Sequence, residues 1–130
     1  MKRILIAVSL LFLAYGCTTV ATPENIERCI KNYRQVKAGT EIILDVSYKE
    51  AFEIVDKRLD RRWVIRSDYD NKVILYNISG AAYRIFPVII YFEEEAPNRT
   101  RLILKGHIEF MPAFPQQLKD DADLRNKGIR

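Results

Sequence analysis

The first 17 residues place the strongest constraint on this chain, because they set a short apolar segment apart from everything that follows. Lys2 and Arg3 are positively charged, and residues 4–14 are apolar with one exception. A membrane-spanning helix takes roughly 20 apolar residues, so this run is too short to cross a bilayer comfortably. A basic start, a short apolar middle and the small Gly16 before a cysteine are typical of a removable export signal. We therefore predict that the folded protein is built from residues 17–130.

The end of this segment, Leu13-Ala14-Tyr15-Gly16-Cys17, resembles the lipobox of bacterial lipoprotein precursors. The resemblance covers residues 1–17 only, and Gly16 and Cys17 match the pattern well. It implies that residues 1–16 are a signal peptide, that Cys17 is the site of lipid attachment, and that residues 17–22 form a lipidated tether. Two or more acyl chains hold a protein stably on a membrane. An uncleaved anchor and an ordinary buried cysteine are the alternatives for this segment.

The residue after the cysteine bears on location. In Gram-negative lipoproteins an aspartate at that place commonly retains the protein at the inner membrane. Thr18 stands there in this chain. The resemblance therefore implies a protein of the cell envelope, lipid-anchored in the outer membrane and facing the periplasm.

The net charge of the chain limits the class of partner. The net charge of +4 at pH 7 includes Lys2 and Arg3, which leave with the signal, so the mature chain is only weakly basic. This balance gives no reason to expect nucleic-acid binding.

Cys29 is the only cysteine besides Cys17. It is a buried thiol, a reactive thiol or a bridge to another chain if Cys17 is lipidated, whereas a Cys17–Cys29 disulfide excludes lipidation.

The pattern of apolar residues predicts one α+β domain over residues 23–115. Thr22 before Pro23 and Ser47 before Glu50 are typical helix starts. The predicted helices span 23–37 and 48–61, and the predicted strands span 40–46, 63–69, 72–78, 83–93 and 99–110.

Short connections make the last four strands an antiparallel meander. Pro87 indicates an edge strand or a bulge, and Gly106 indicates a bulge. Residues 116–130 are mostly polar and predict a weak C-terminal helix or a tail. The element order is helix, strand, helix, four strands and weak helix. It predicts a two-layer sandwich with the second helix covering the apolar face of the sheet. The first helix packs on this domain or docks on a partner or membrane. In outline the order is similar to the helix-grip modules of barrel-assembly lipoproteins and to other small envelope lipoproteins, by element order alone.

Two groups of residues are candidates for binding. A basic cluster at the end of the second helix either complements the negative helix terminus or docks an acidic or phosphate-bearing partner. A set of apolar residues in the last two strands either fills the core or lines a space for a hydrophobic ligand between helix and sheet. The basic cluster is Lys57, Arg58, Arg61 and Arg62, and the apolar set is Phe86, Val88, Ile90, Phe92, Leu102 and Leu104.

The sequence offers little for catalysis. His107 is the sole histidine, and no nucleophile elbow or phosphate-binding glycine loop accompanies it. No set of His, Cys and carboxylate residues has the spacing of a metal site, so we predict no metal and no cofactor. An enzyme would need a cleft in which His107 meets Asp, Glu or Ser. We therefore predict a non-enzymatic envelope lipoprotein that contacts the membrane through its acyl chains and docks an envelope protein or cell-wall partner. A carrier of a hydrophobic ligand is the alternative.

Overall fold

The structure is a computed structural model that describes residues 22–80 and 85–128. Within these ranges the fold is α+β, the predicted class, with three helices and one five-stranded antiparallel sheet. The predicted signal, lipidation site and most of the tether lie outside the described residues. The helices are α1 (Pro23–Gln35), α2 (Tyr48–Arg58) and α3 (Phe114–Asn126), and the strands are β1 (Thr40–Leu44), β2 (Val64–Asp68), β3 (Val73–Asn77), β4 (Pro87–Ala96) and β5 (Arg99–Gly106).

The sheet has the order β1-β5-β4-β3-β2, with every neighbouring pair antiparallel. Strands β2 to β5 form the predicted meander. Strand β1 joins it at the far edge, where Ile42 lies opposite Leu102 of β5. The buried Thr100 hydroxyl donates a hydrogen bond of 3.1 Å to the Val46 carbonyl, which ties the chain after β1 to the same strand.

One face of the sheet packs against α2 and α3 in the larger of two apolar clusters. Residues two apart on a strand point to the same face, so alternate positions of β3 and β4, such as Ile74 and Ile90, enter this cluster. Helix α3 contributes Phe114, Leu118 and Ala122, each at most 3% exposed. Helix α3, the described part of the predicted C-terminal helix or tail, is thus an integral part of the fold.

The opposite face of the sheet is covered by α1, so the predicted two-layer arrangement is wrong and the fold has three layers. Cys29, Ile30 and Tyr33 of α1 form a second buried cluster with β3 and β4. The Tyr91 hydroxyl donates a 2.6 Å hydrogen bond to the Ile30 carbonyl, and burial raises the pKa of this hydroxyl. Strands β3 and β4 are apolar on both faces. A single helical layer would leave one of these apolar faces exposed to water, so both faces need a covering helix.

Both predicted helix starts are observed. Thr22 accepts a hydrogen bond from the Asn25 amide at 3.2 Å, and Ser47 accepts one from the Glu50 amide at the same distance. These bonds satisfy amides that have no partner inside the helix. The helices end earlier than predicted, α1 at Gln35 and α2 at Arg58.

Pro87 and Gly106 mark strand ends rather than bulges, and the strand that begins at Pro87 lies in the middle of the sheet rather than at its edge. Strand β4 begins at Pro87, where the missing amide costs the ladder least. Strand β5 stops at Gly106, which has a φ of 86°. Residues 107–110 were predicted to continue the strand. They instead contain a short 3-10 turn, Ile108–Phe110.

Candidate functional site

An open cleft of about 690 Å³ lies at the end of the sheet where β3 and β5 finish and β4 begins. Antiparallel neighbours bring these three points together, since Asn77 pairs with Pro87 and Val88 pairs with Gly106. The described residues that line the cleft are Ile78, Ser79, Phe86, His107, Glu109 and Phe110.

The Asn77 side chain organises the first wall of this cleft. Asn77 is 2% exposed, and its Oδ1 accepts hydrogen bonds from the Ser79 amide at 3.2 Å and the Ser79 hydroxyl at 2.8 Å. The same oxygen accepts a 3.1 Å bond from the Phe86 amide. A buried amide that joins the exit of β3 to the entry of β4 therefore holds Phe86 in a defined position.

Gly106 forms the second wall by turning the chain out of β5. A Cβ at this position would overlap the Pro87 carbonyl oxygen, and the positive φ is one that other residues rarely adopt. Directly after the turn, the His107 amide donates a 2.8 Å hydrogen bond to that same carbonyl. The glycine thus permits the close approach that brings His107 beside Phe86.

The His107 imidazole lies between two aromatic rings. Its centroid is 5.6 Å from the Phe86 ring in an edge-to-face arrangement and 6.1 Å from the Phe110 ring. Its Nδ1 is 3.8 Å from Oε1 of Glu109, which is longer than a hydrogen bond. Its Nε2 is buried and has no hydrogen-bond partner within the described part of the chain.

Phe110 makes the rim of the cleft unusual. It is 69% exposed, the largest exposure among the described large apolar residues. Aromatic side chains bury large areas when they are covered and are enriched at protein interfaces. An exposed phenylalanine beside an apolar cleft is therefore suited to contact with another molecule.

Most of the predicted ligand-lining residues fill the core instead. Five of the six are at most 4% exposed and belong to the cluster beneath α2 and α3: Val88, Ile90, Phe92, Leu102 and Leu104. They fill the space between helix and sheet because alternate positions of β4 and β5 face the two covering helices. Phe86 alone lies in a cleft, and that cleft is at the end of the sheet.

The predicted basic docking cluster is largely paired with nearby carboxylates. Arg58 makes two bonds to Asp121 of α3, at 2.6 and 2.9 Å. Arg61 lies 2.5 Å from Asp56, and Arg62 lies 2.7 Å from Asp60. Lys57 is exposed. These pairs reduce the positive field of the surface, which favours the structural interpretation of the cluster over docking of an anion.

Cys29 is completely buried on the inner side of α1 and takes part in a disulfide bond. Cys17, the only other cysteine in the sequence, lies outside the described residues. Burial excludes the exposed, reactive thiol that the sequence left open for Cys29. The disulfide agrees with two of the interpretations open for Cys29, a bridge to another chain and a bridge to Cys17, and only the second competes with lipidation.

Residues 22–80 and 85–128 contain neither a metal-binding cluster nor a membrane-spanning helix. No group of three His, Cys, Asp or Glu side chains in these ranges is arranged to hold a metal ion. No helix in them is both long and apolar enough to cross a membrane.

Sequence reasoning identified two members of the cleft, His107 and Phe86, but placed both within strands. It missed Ser79, Glu109 and Phe110 as site residues. Gly106 was the available signal, because a glycine at a strand end permits a sharp change of direction. If the last strand is predicted to end at Gly106, residues 107–110 lie outside the sheet and become candidates for a site at its end.

No protein-family model, no curated protein and no solved structure matches this chain.

Proposed function

We propose that this chain is an exported envelope lipoprotein whose folded domain is a non-enzymatic docking module for an envelope protein. Residues 1–17 support export and anchoring through Cys17, with the outer membrane as the site that Thr18 favours. This anchor requires the disulfide of Cys29 to bridge to another chain, because a Cys17–Cys29 disulfide excludes lipidation. One observation carries the docking role. It is the apolar cleft of about 690 Å³ with Phe110 69% exposed at its rim.

Docking is better supported than carriage of a hydrophobic ligand between helix and sheet. A carrier of that kind needs an enclosed space among the apolar residues of β4 and β5. Ile90 and Leu104, which were expected to line it, are completely buried in the core. The cleft that is present is open, and its aromatic rim suits a protruding group from a protein partner.

Docking is also better supported than hydrolysis. His107 shares the cleft with Ser79 and Glu109, so the residues for a nucleophile and a base are near one another. The Ser79 hydroxyl, however, donates a 2.8 Å hydrogen bond to Asn77 Oδ1, and the 3.8 Å between His107 Nδ1 and Glu109 Oε1 exceeds a hydrogen-bond length. Acyl transfer uses a nucleophile hydrogen-bonded to a base, and a third group hydrogen-bonded to that base. Ser79, His107 and Glu109 do not form this chain of hydrogen bonds.

A site-specific crosslink in the intact envelope tests the docking role. A photoreactive phenylalanine analogue replaces Phe110, and a matched variant carries it at Leu124, which is 44% exposed on α3. We expect a discrete crosslinked protein from position 110 and none from position 124. Equal yields from both positions, or none from position 110, would contradict docking at this cleft.

The anchor is tested separately at the two cysteines. A thioether at Cys17 requires the Cys29 disulfide to bridge to another chain, whereas a Cys17–Cys29 disulfide leaves no lipid on the chain. Mass spectrometry with thiol counting on the native protein distinguishes these states. We expect Cys17→Ser to abolish labelling by a fatty-acid probe and Cys29→Ser to leave it intact. Two oxidised cysteines in an unlipidated chain would overturn the proposed anchor.

A further inference from the structure

The geometry of the cleft points to the chemistry of the group that docks there. We propose that it receives an aromatic side chain ending in a hydrogen-bond donor, such as the phenol of a partner tyrosine, and that His107 Nε2 accepts this bond. The inference rests on the proposed docking function and adds to it the class of side chain that is selected.

The first argument is the buried imidazole nitrogen. His107 Nε2 has no partner among the residues the structure describes. Buried polar atoms are nearly always hydrogen-bonded, and those that are not are frequent at functional sites. A ligand that supplies the missing bond therefore satisfies this buried nitrogen and gains affinity from the contact.

The second argument decides whether this nitrogen accepts or donates. A neutral imidazole carries one proton, and the contacts of its two nitrogens determine which of them is protonated. The Glu109 carboxylate lies on the Nδ1 side, at 3.8 Å. Its negative charge favours the proton on Nδ1, which leaves Nε2 as an acceptor and selects a donor from the partner.

The third argument is the shape and surface of the lining. The rings of Phe86 and His107 are 5.6 Å apart and meet edge to face. An additional ring extends such an arrangement favourably. Tyrosine and tryptophan combine an aromatic body with an O–H or N–H at the end, and both are enriched at protein interfaces.

Access to the nitrogen comes from the rim. Nε2 lies beneath the surface, while the His107 side chain as a whole is 23% exposed. Phe110 is in contact with the imidazole and is itself 69% exposed, so its ring has room to rotate outward. We infer that rotation of Phe110 or of the imidazole accompanies binding and admits the donor.

The sole histidine makes the test direct, because the chain has a single imidazole to observe by nitrogen-detected NMR. The mature protein is titrated with N-acetyl-tyrosinamide and with its O-methyl ether, which has the same ring and no donor. We expect the phenol to bind about five- to tenfold more tightly, as one hydrogen bond implies, and to shift the His107 Nε2 signal. Before addition, that signal should be of the unprotonated type.

The outcomes separate the two proposals. Equal binding of the two probes, or tighter binding of the ether, would overturn selection of a donor and leave docking intact. Binding of neither probe would also overturn the inference, and crosslinking from position 110 would then judge docking by itself. His107→Phe keeps an aromatic ring and removes the acceptor, so the preference for the phenol should disappear. A preference that persists in this variant would overturn the role of His107.

Discussion

The core beneath α2 and α3 and the cleft beyond β5 are made of the same kinds of side chain but do different things. In the core, Ile90 and Leu104 are completely buried between sheet and helices. In the cleft, Phe110 is mostly exposed and His107 keeps a buried nitrogen without a partner in the described structure. Apolar residue type alone therefore does not mark a binding surface. The difference is whether the helices of the protein cover the side chains.

Ile90→Ala should produce the largest effect and should act on the core alone. Ile90 is completely buried, and truncation of a buried isoleucine to alanine typically costs about 2–5 kcal/mol of unfolding free energy. Urea unfolding measures this loss. In the absence of urea, where the variant is folded, its affinity for the tyrosine probe should stay within about twofold of the parent's, since distant sites act independently. A large loss of affinity in the folded variant would show that core and cleft are coupled.

Gly106→Ala should affect both regions, because Gly106 joins the last core strand to the cleft. An alanine there adopts a strained φ, which costs about 1–3 kcal/mol, and its Cβ overlaps the Pro87 carbonyl. Gly128→Ala is a matched control, with a similar φ of 75° and nothing within 4 Å of the added Cβ. Thermal unfolding of both variants isolates the cost of the overlap. Equal destabilisation would mean that the approach to Pro87 is unimportant.

Glu53→Gln should remove a pH-dependent ion pair between the two helices that cover the core. The Arg125 guanidinium bonds the Glu53 carboxylate at 2.9 Å, joining α3 to α2, and this bond holds the carboxylate pKa below its ordinary value of 4.5. A lowered pKa in the folded state stabilises the protein above pH 4.5, and the contribution disappears as pH falls through the folded pKa.

Because Glu53 is partly exposed to solvent, screening limits its contribution to about 0.5 kcal/mol at pH 7. Urea unfolding should therefore show Glu53→Gln less stable than the parent at pH 7 and equal to it in acid. Probe binding to the cleft at pH 7 should not change. A stability difference that persists well below pH 4.5 would contradict this assignment.

Phe110→Ala should have the smallest effect on stability and a clear effect on binding. Substitutions at exposed positions usually change unfolding free energy by no more than about 0.5 kcal/mol. After it rotates outward, the Phe110 ring packs against the docked ring, and an aromatic pair is worth about 0.5–1.5 kcal/mol, so the tyrosine probe should bind about two- to tenfold more weakly. Thermal melting and NMR titration measure the two quantities. A destabilised variant with unchanged probe affinity would reverse the roles assigned to core and cleft.

Local pattern was sufficient for much of the chain. The export-type segment ending at Cys17 is visible in residue order alone and remains a prediction. The caps at Thr22 and Ser47 also follow from sequence, because a cap uses residues within one turn of the helix. Alternation and turn residues were enough for the antiparallel meander, since short connections leave few other ways to pair successive strands.

Contacts between distant residues decided the rest. Nothing local places β1 beside β5 or α1 on the second face of the sheet. The unbroken apolar run from Val88 to Phe92 was the available signal for a sheet covered on both faces. The cleft depended still more on the tertiary structure, because its walls follow β3, precede β4 and follow β5. Only the pairing of these three strands brings Ser79, Phe86 and His107 together, since burial of the shared core fixes their register.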